Sequence, residues 1–192
     1  MKLIAKTLQG LDPVLAQELQ QLGARDVQIL KRAVQFAGDL RLLYRSNLEL
    51  RSAIRILWPI AAFRARHEDD LYRRIQRTDW SEYLNQRQTL AVDAITYSET
   101  FRHSKYVALK TKDAIVDQFR ERTGRRPSVN VANPDLRINV HIRQNEVTVS
   151  IDSSGESLHK RGYRKETLEA PINEVLAAGI LLRRGRRGER PQ

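Results

Sequence analysis

The chain has 192 residues with 34 Lys and Arg against 23 Asp and Glu, a formal net charge of +11 at pH 7 and an isoelectric point near 10.3. At 41% apolar and 30% charged it reads as globular rather than disordered, and its apolar runs, such as 58–63 and 177–182, are too short to span a bilayer. It contains no cysteine, which excludes disulfides and thiolate metal sites, and the charge excess points to a polyanion, nucleic acid before anionic lipid.

The N-terminus MKLIAKTLQG has no extended apolar region, so no signal peptide is expected and the cytoplasm is the expected location. KLIAKTL alternates and suits a strand. Asp12 is placed as a helix N-cap with Pro13 at the first helical position, Leu15, Leu19 and Leu22 share a face, and Gly23 follows as a stop. DVQIL and AVQFA read as two short strands, and Asp39 as the cap of a second helix with Leu40, Leu43 and Leu50 on its apolar side. AIRILW is a further strand, ended by Pro59. The order β-α-β-β-α-β is the ferredoxin-like arrangement.

Residues 59–65 are expected to connect this unit to a second one. Asp69 or Asp70 is placed as the cap of a helix carrying Leu71 and Ile75 towards Leu84, and TLAVDAITY reads as a strand. Ser104 is expected to cap a helix over 105–122, with Ala108, Ile115, Val116 and Phe119 on one face and Gly124 as its stop. Leu136, Ile138, Val140 and Ile142 then alternate with polar residues. After a turn at Gln144-Asn145, Val147, Val149 and Ile151 do the same, which predicts a hairpin backed by helices. A last helix is expected from Pro171 to about Arg183.

No pair of glycines stands as Gly-x-Gly, so neither a dinucleotide fingerprint nor a phosphate loop is available. His67, His103, His141 and His159 lack the spacing of a zinc site. Asp113 and Asp117 sit four apart on one helix among Lys110, Lys112 and Arg120, which predicts surface ion pairing rather than catalysis. Three basic clusters with aromatics remain. FRHSKY brings Arg102 and Lys105 to a helix N-terminus, whose free N–H groups suit a phosphate. RERTGRR offers Arg120, Arg122, Arg125 and Arg126 at the other end of that helix. HKRGYRK offers Lys160, Arg161 and Arg164, with Tyr163 placed to stack on a base. From His159 to Gln192 nine Lys/Arg stand against four Glu, a net of +5.

DSSGESLHKRGYR and APINEVLAAGILL, preceded by TKDAIVDQFR and RPSVNVANPDLRINVHI, closely resemble the THUMP-containing class I RNA methyltransferases. Within them the likeness is to the bacterial enzymes that methylate the exocyclic N2 of a guanine in large-subunit ribosomal RNA. GLDPVLAQELQQLGA resembles their opening segment, and the likeness runs over about residues 1–183. It implies an α+β fold: a ferredoxin-like domain over 1–58, a THUMP RNA-binding domain over 59–152, and over 153–192 a basic hinge with the first helix of a methyltransferase domain. It implies structured RNA, large-subunit rRNA, as partner, and the basic clusters supply Arg102, Lys105, Arg125, Arg126, Lys160, Arg161, Tyr163 and Arg164 as the expected contacts. S-adenosylmethionine is implied only for a catalytic domain, in cis or in trans. The family's glycine-rich cofactor loop and Asn-Pro-Pro-Tyr motif match no position here, and RRGRRGERPQ departs from the pattern, so no catalytic residue carries over. The chain therefore reads as the targeting part of such an enzyme. A stand-alone adapter serving a separate catalytic subunit and a non-enzymatic ribosome-associated protein are the rival readings. In any of them Ile172, Val175, Leu176 and Leu182 form an apolar stripe, and the last helix is expected to fray or to dock on a neighbour.

Overall fold

The computed structural model describes residues 1–162 and 172–185. The fold is α+β and the chain divides into two compact units: Met1–Trp58 with Glu156–Gln192, and Pro59–Gly155.

In the first unit, β1 (Lys2–Lys6), β2 (Arg25–Leu30), β3 (Ala33–Ala37) and the start of β4 (Arg55–Arg64) form an antiparallel sheet ordered β2-β3-β1-β4. Helices α1 (Asp12–Gln21) and α2 (Leu40–Glu49) supply Leu15, Leu19, Leu42 and Leu43, which pack on Leu3, Val34, Phe36 and Ile56. This is the ferredoxin-like order read from the sequence. Asp39 caps α2 as expected, accepting from the Leu42 N–H at 2.8 Å. Asp12 does not cap α1: the cap position is Leu11, already in an αR conformation, so Asp12 is the first helical residue. Leu40 is exposed, because the buried face of α2 runs through Leu42, Leu43 and Ser46. Pro59 does not end its strand. The register with β1 covers only Arg55–Leu57, so the missing N–H interrupts no bond to β1 and the backbone runs on extended to Arg64.

The buried Glu18 on α1 joins the α2–β4 loop to the unit. Its carboxylate accepts from the Ser52 N–H at 2.9 Å, from the Ser52 hydroxyl and from the Arg51 N–H at 3.2 Å. Farther along the chain, α5 (Glu174–Gly185) packs on the same unit. Val175 is buried against Leu11 and Val14, with Leu182 beside them, and Leu11 lies so close over Gly179 that a Cβ there would meet its methyls at 2.5 Å. The stripe expected to fray is thus divided. Val175 and Leu182 face α1, whereas Ile172, Leu176, Ile180 and Leu181 are exposed. Pro171, the expected start of the helix, lies outside the described residues.

The second unit contains the remainder of β4, β5 (Thr89–Tyr97), β6 (Ser128–Val129), β7 (Leu136–Arg143) and β8 (Glu146–Asp152), ordered β4-β8-β7-β5-β6. β7 and β8 form the expected hairpin, while β5 runs parallel to β7 along its whole length. Helices α3 (Glu68–Arg77) and α4 (Ser104–Thr123) cover one face of this sheet. Leu71, Ile75, Val107, Ile115 and Phe119 meet Ile138, Val140, Ile142, Val147 and Val149. The cap of α3 is His67, whose Nδ1 accepts from the Asp70 N–H at 3.3 Å, rather than Asp69 or Asp70. The helix stops at Arg77, short of Leu84, and a 3-10 turn at Trp80–Glu82 follows. Gln118 fixes that turn: its amide donates to the Thr78 carbonyl at 2.7 Å and to that of Gln76, and accepts from the Trp80 N–H at 3.1 Å. Ser104 opens α4 but does not cap it; His103 stands at the cap position, with no side-chain bond. Gly124 closes α4 at φ +69°, the left-handed conformation expected of it. No helix among the described residues is long and apolar enough to cross a membrane.

Candidate nucleic-acid interface

Helix α4 carries a run of paired charge in the second unit. From Lys110 to Arg122 its basic residues are ion-paired: Lys110 reaches Asp69 at 3.5 Å, Lys112 reaches Asp113 at 2.5 Å, Arg120 reaches Asp117 at 3.1 Å and Arg122 reaches Asp79 at 2.7 Å. Asp113 and Asp117 are therefore ion-pair partners. Asp117 also accepts from the Tyr72 hydroxyl at 2.8 Å, and partial burial together with that bond pushes the phenol up to about 12. Asp79 is held below the usual carboxylate range, first by the Ser81 hydroxyl and then by the Arg122 guanidinium.

The ends of α4 differ from its middle. At the N-terminal end Phe101 is fully buried, and Arg102 and Lys105 are exposed; the Arg102 Nε donates to the Glu99 carbonyl at 2.9 Å. Past the C-terminal end Arg125 and Arg126 are exposed. None of these four has an ion pair among the described residues. The 20-residue helix separates the two pairs by about 30 Å, so the fold does not bring them into one patch.

In the first unit Lys160 is exposed on a 3-10 turn at Leu158–Lys160. Arg161, expected as an RNA contact, is engaged within its own unit. Its guanidinium donates to the Leu50 carbonyl at 2.7 Å and to the Asn47 carbonyl at 2.5 Å, closing the C-terminal end of α2. Carbonyls at a helix C-terminus carry the negative end of the helix dipole, so a half-buried guanidinium is well placed there. Tyr163 and Arg164 lie outside the described residues.

Residues 65–152 match the THUMP domain, and residues 2–57 match the RlmL ferredoxin-like domain. A ribosomal RNA large subunit methyltransferase K/L from Syntrophotalea carbinolica is 45% identical over 185 residues, 96% of this chain and 26% of that protein. The chain thus joins an RlmL-type ferredoxin-like domain to a THUMP domain, a pairing that supports a THUMP-containing rRNA methyltransferase family, and its likeness is to the N-terminal part of such proteins. Two solved structures share the fold. One, from Listeria monocytogenes and described as a predicted N6-adenine-specific DNA methylase, gives a TM-score of 0.82 at 32% identity, covering 94% of this chain and 47% of that one. The other, SMU.472 complexed with SAH, gives 0.81 at 33% identity over 94% and 48%. The chain thus spans about a quarter of the length of the K/L relative and about half of the two structures.

Two surface depressions, of about 400 and 420 Å³, suit S-adenosylmethionine poorly: one is lined by Arg64 and Arg143 in the THUMP domain, with Glu146 there paired to Arg64, and the other by Arg25, Arg41 and Arg45 in the ferredoxin-like domain. A cationic sulfonium is disfavoured beside clustered guanidiniums. Asp39, the carboxylate of the second depression, is already engaged in capping α2. Among the described residues no group of three His, Asp or Glu side chains is disposed to hold a metal ion.

The open face of the THUMP sheet carries polar and aromatic residues that sequence reasoning did not single out as functional. Ile95 and Tyr97 of β5 stand opposite His141 and Arg143 of β7, with the Tyr97 and His141 rings 5.8 Å apart between centroids. The available signal was phase. In TLAVDAITY, Tyr97 is an aromatic residue on the alternation that points away from the core.

Proposed function

We propose that the ferredoxin-like and THUMP domains of this chain bind structured large-subunit rRNA in the cytoplasm. They hold it for S-adenosylmethionine-dependent methylation at the exocyclic N2 of a guanine, with a methyltransferase domain in cis or in trans supplying the chemistry. In this reading residues 1–58 are the ferredoxin-like domain, 59–152 the THUMP domain, and 153–192 the hinge and first helix leading to the catalytic domain. The observation that carries it is the unequal use of basic residues around α4. From Lys110 to Arg122 the cations of the helix are paired to Asp69, Asp113, Asp117 and Asp79, while Arg102, Lys105, Arg125 and Arg126 are exposed without ion pairs among the described residues.

A-form RNA hides its major-groove base edges, so these residues address phosphates and helix shape rather than sequence. Lys160 extends the same role to the first unit, with Tyr163 and Arg164 as further contacts, whereas Arg161 serves its own domain. The test is the salt dependence of binding to a large-subunit rRNA stem-loop. Replacing Arg125 and Arg126 by Ala weakens binding and lowers the slope of log K against log salt by about 1–2, one phosphate contact being worth slightly less than one. An unchanged slope removes the pair from the interface, and no RNA binding by the intact chain at low salt refutes the reading as a whole.

A further inference from the structure

Every second residue of β5 and β7 leaves the core. On β7 these are Arg137, Asn139, His141 and Arg143, and on β5 they are Asp93, Ile95 and Tyr97. At one end Arg137 and Asp93 neutralise each other at 3.1 Å. The other end is open. Tyr97 is 64% exposed at the last position of β5, level with Arg143 in the register, and its ring leans on His141 at an interplanar angle of 55°. Its carbonyl accepts from the Gln144 N–H at 2.8 Å, which fixes the strand end against the β7–β8 turn. Beside it lies the depression of about 400 Å³ lined by Arg64 and Arg143. Arg143 has no ion pair among the described residues, and Arg64 has only an exposed contact to Glu146 at 3.4 Å, a kind of pair that water and salt largely screen.

An exposed aromatic ring with one guanidinium level with it on the next strand, and a second farther along the sheet on that same side, is a combination that takes a nucleotide and its chain. The ring stacks on the base and the guanidiniums hold phosphates of the strand leading away from it. A paired base cannot present its face in this way. We propose that this end of the open THUMP sheet face binds an unpaired RNA nucleotide, with Tyr97 as the stacking residue and Arg143 and Arg64 as its phosphate contacts. The proposal rests on the RNA-binding reading above. It adds a second mode, single-strand capture, to the shape-reading of paired RNA at the ends of α4.

The test uses the 192-residue chain with two probes, an unstructured 12-nucleotide oligouridine and a 12-base-pair RNA duplex, and follows equilibrium binding by anisotropy. Tyr97→Ala is expected to weaken oligouridine binding on the order of 5- to 100-fold, and Tyr97→Phe to keep most of it, with duplex binding changed less than about twofold in both. Arg143→Ala weakens oligouridine binding and flattens its salt dependence. With the unaltered protein, 5-bromouridine crosslinking is expected to label the peptide that contains Tyr97. If the intact chain binds the duplex but not oligouridine, or if Tyr97→Ala leaves oligouridine affinity unchanged, the stacking site is overturned and the RNA-binding reading stands. Crosslinks confined to other peptides overturn it equally. Binding of neither probe overturns both.

Discussion

Replacing Arg161 separates its two conceivable roles. Its guanidinium donates at 2.7 and 2.5 Å to the carbonyls of Leu50 and Asn47 at the C-terminal end of α2. Hydrogen bonds from a charged donor contribute about 1.5–3 kcal/mol each, and immobilising an arginine opposes them by about 2 kcal/mol. Water can also reach part of the freed carbonyls once the side chain is truncated. Arg161→Ala is therefore expected to lower stability by about 1–4 kcal/mol. Arg161→Lys should recover part of that, because a single ammonium lacks the fork that reaches two carbonyls at once. The assay is urea unfolding followed by far-ultraviolet circular dichroism, read as a shift in midpoint at unchanged m-value, with RNA binding of the same variants measured well below their midpoints. Arg161→Ala is expected to unfold earlier and to bind RNA as the parent does. A variant that unfolds at the parent midpoint but binds RNA several-fold more weakly would refute the reasoning and return Arg161 to the contact surface.

Two more outcomes follow from buried or bonded carboxylates. Glu18→Ala strands the Ser52 hydroxyl and two backbone N–H groups inside the ferredoxin-like domain, and is expected to destabilise the protein by about 2–4 kcal/mol, with Glu18→Gln losing less; a urea midpoint unmoved by the alanine change would show that the α2–β4 loop is held by other means. Asp135 accepts from the Thr89 N–H and hydroxyl, both at 2.7 Å, and these bonds hold its carboxyl below the ordinary value. A depressed folded-state value means that its contribution is complete above the ordinary carboxylate range and is lost as pH falls through the folded value. The stability gap between the parent and Asp135→Asn should therefore be widest near neutrality and close below about pH 4, and a gap independent of pH would contradict this.

Local pattern made much of this fold legible. The period-two alternation over 136–151 marks the β7–β8 hairpin, Asp39 and Gly124 mark helix ends through their own side chain or backbone freedom, and the order of elements marks the ferredoxin-like unit. Misreadings occur where a residue's role depends on chain far from it. Asp12 has the composition of a cap, but Leu11 already turns into the helix. Leu40 fits an apolar spacing on α2, yet the sheet lies against Leu42 and Leu43. Pro59 signals a strand end only if its N–H is needed by a neighbour, and the register with β1 has finished before it. The apolar stripe of α5 is evident from its spacing, but its partners, Leu11 and Val14, lie more than 150 residues earlier in the chain. The same non-local dependence applies to the candidate contacts: Arg161 has the residue type of a phosphate ligand, and only the carbonyls of Asn47 and Leu50 reveal its structural role.

Net charge is subject to the same correction. A formal +11 establishes attraction to a polyanion at long range, but it assigns no residue to contact, because a cation already paired to a carboxylate contributes little field and must break that pair to bind phosphate. On α4, Lys110, Lys112, Arg120 and Arg122 are of this kind. Arg120 and Arg122 belong to the same RERTGRR cluster as Arg125 and Arg126, so a cluster that looks uniform in sequence divides in the fold into two residues with an ion pair and two without one among the described residues. Among the described residues, the THUMP-domain cations without an ion pair include Arg102 and Lys105 at one end of α4, Arg125 and Arg126 past the other, and Arg143 at the end of the open sheet face, where Arg64 has only an exposed pair with Glu146. Tyr106 is exposed beside Lys105 at the first of these, and the last sets Tyr97, 64% exposed with its ring leaning on His141, level with Arg143. Paired RNA, which offers phosphates and no free base face, has no use for that ring, whereas a looped-out nucleotide engages both. The distribution of unneutralised charge therefore leads to an RNA with a stem and an unpaired segment as the ligand that uses this surface most fully.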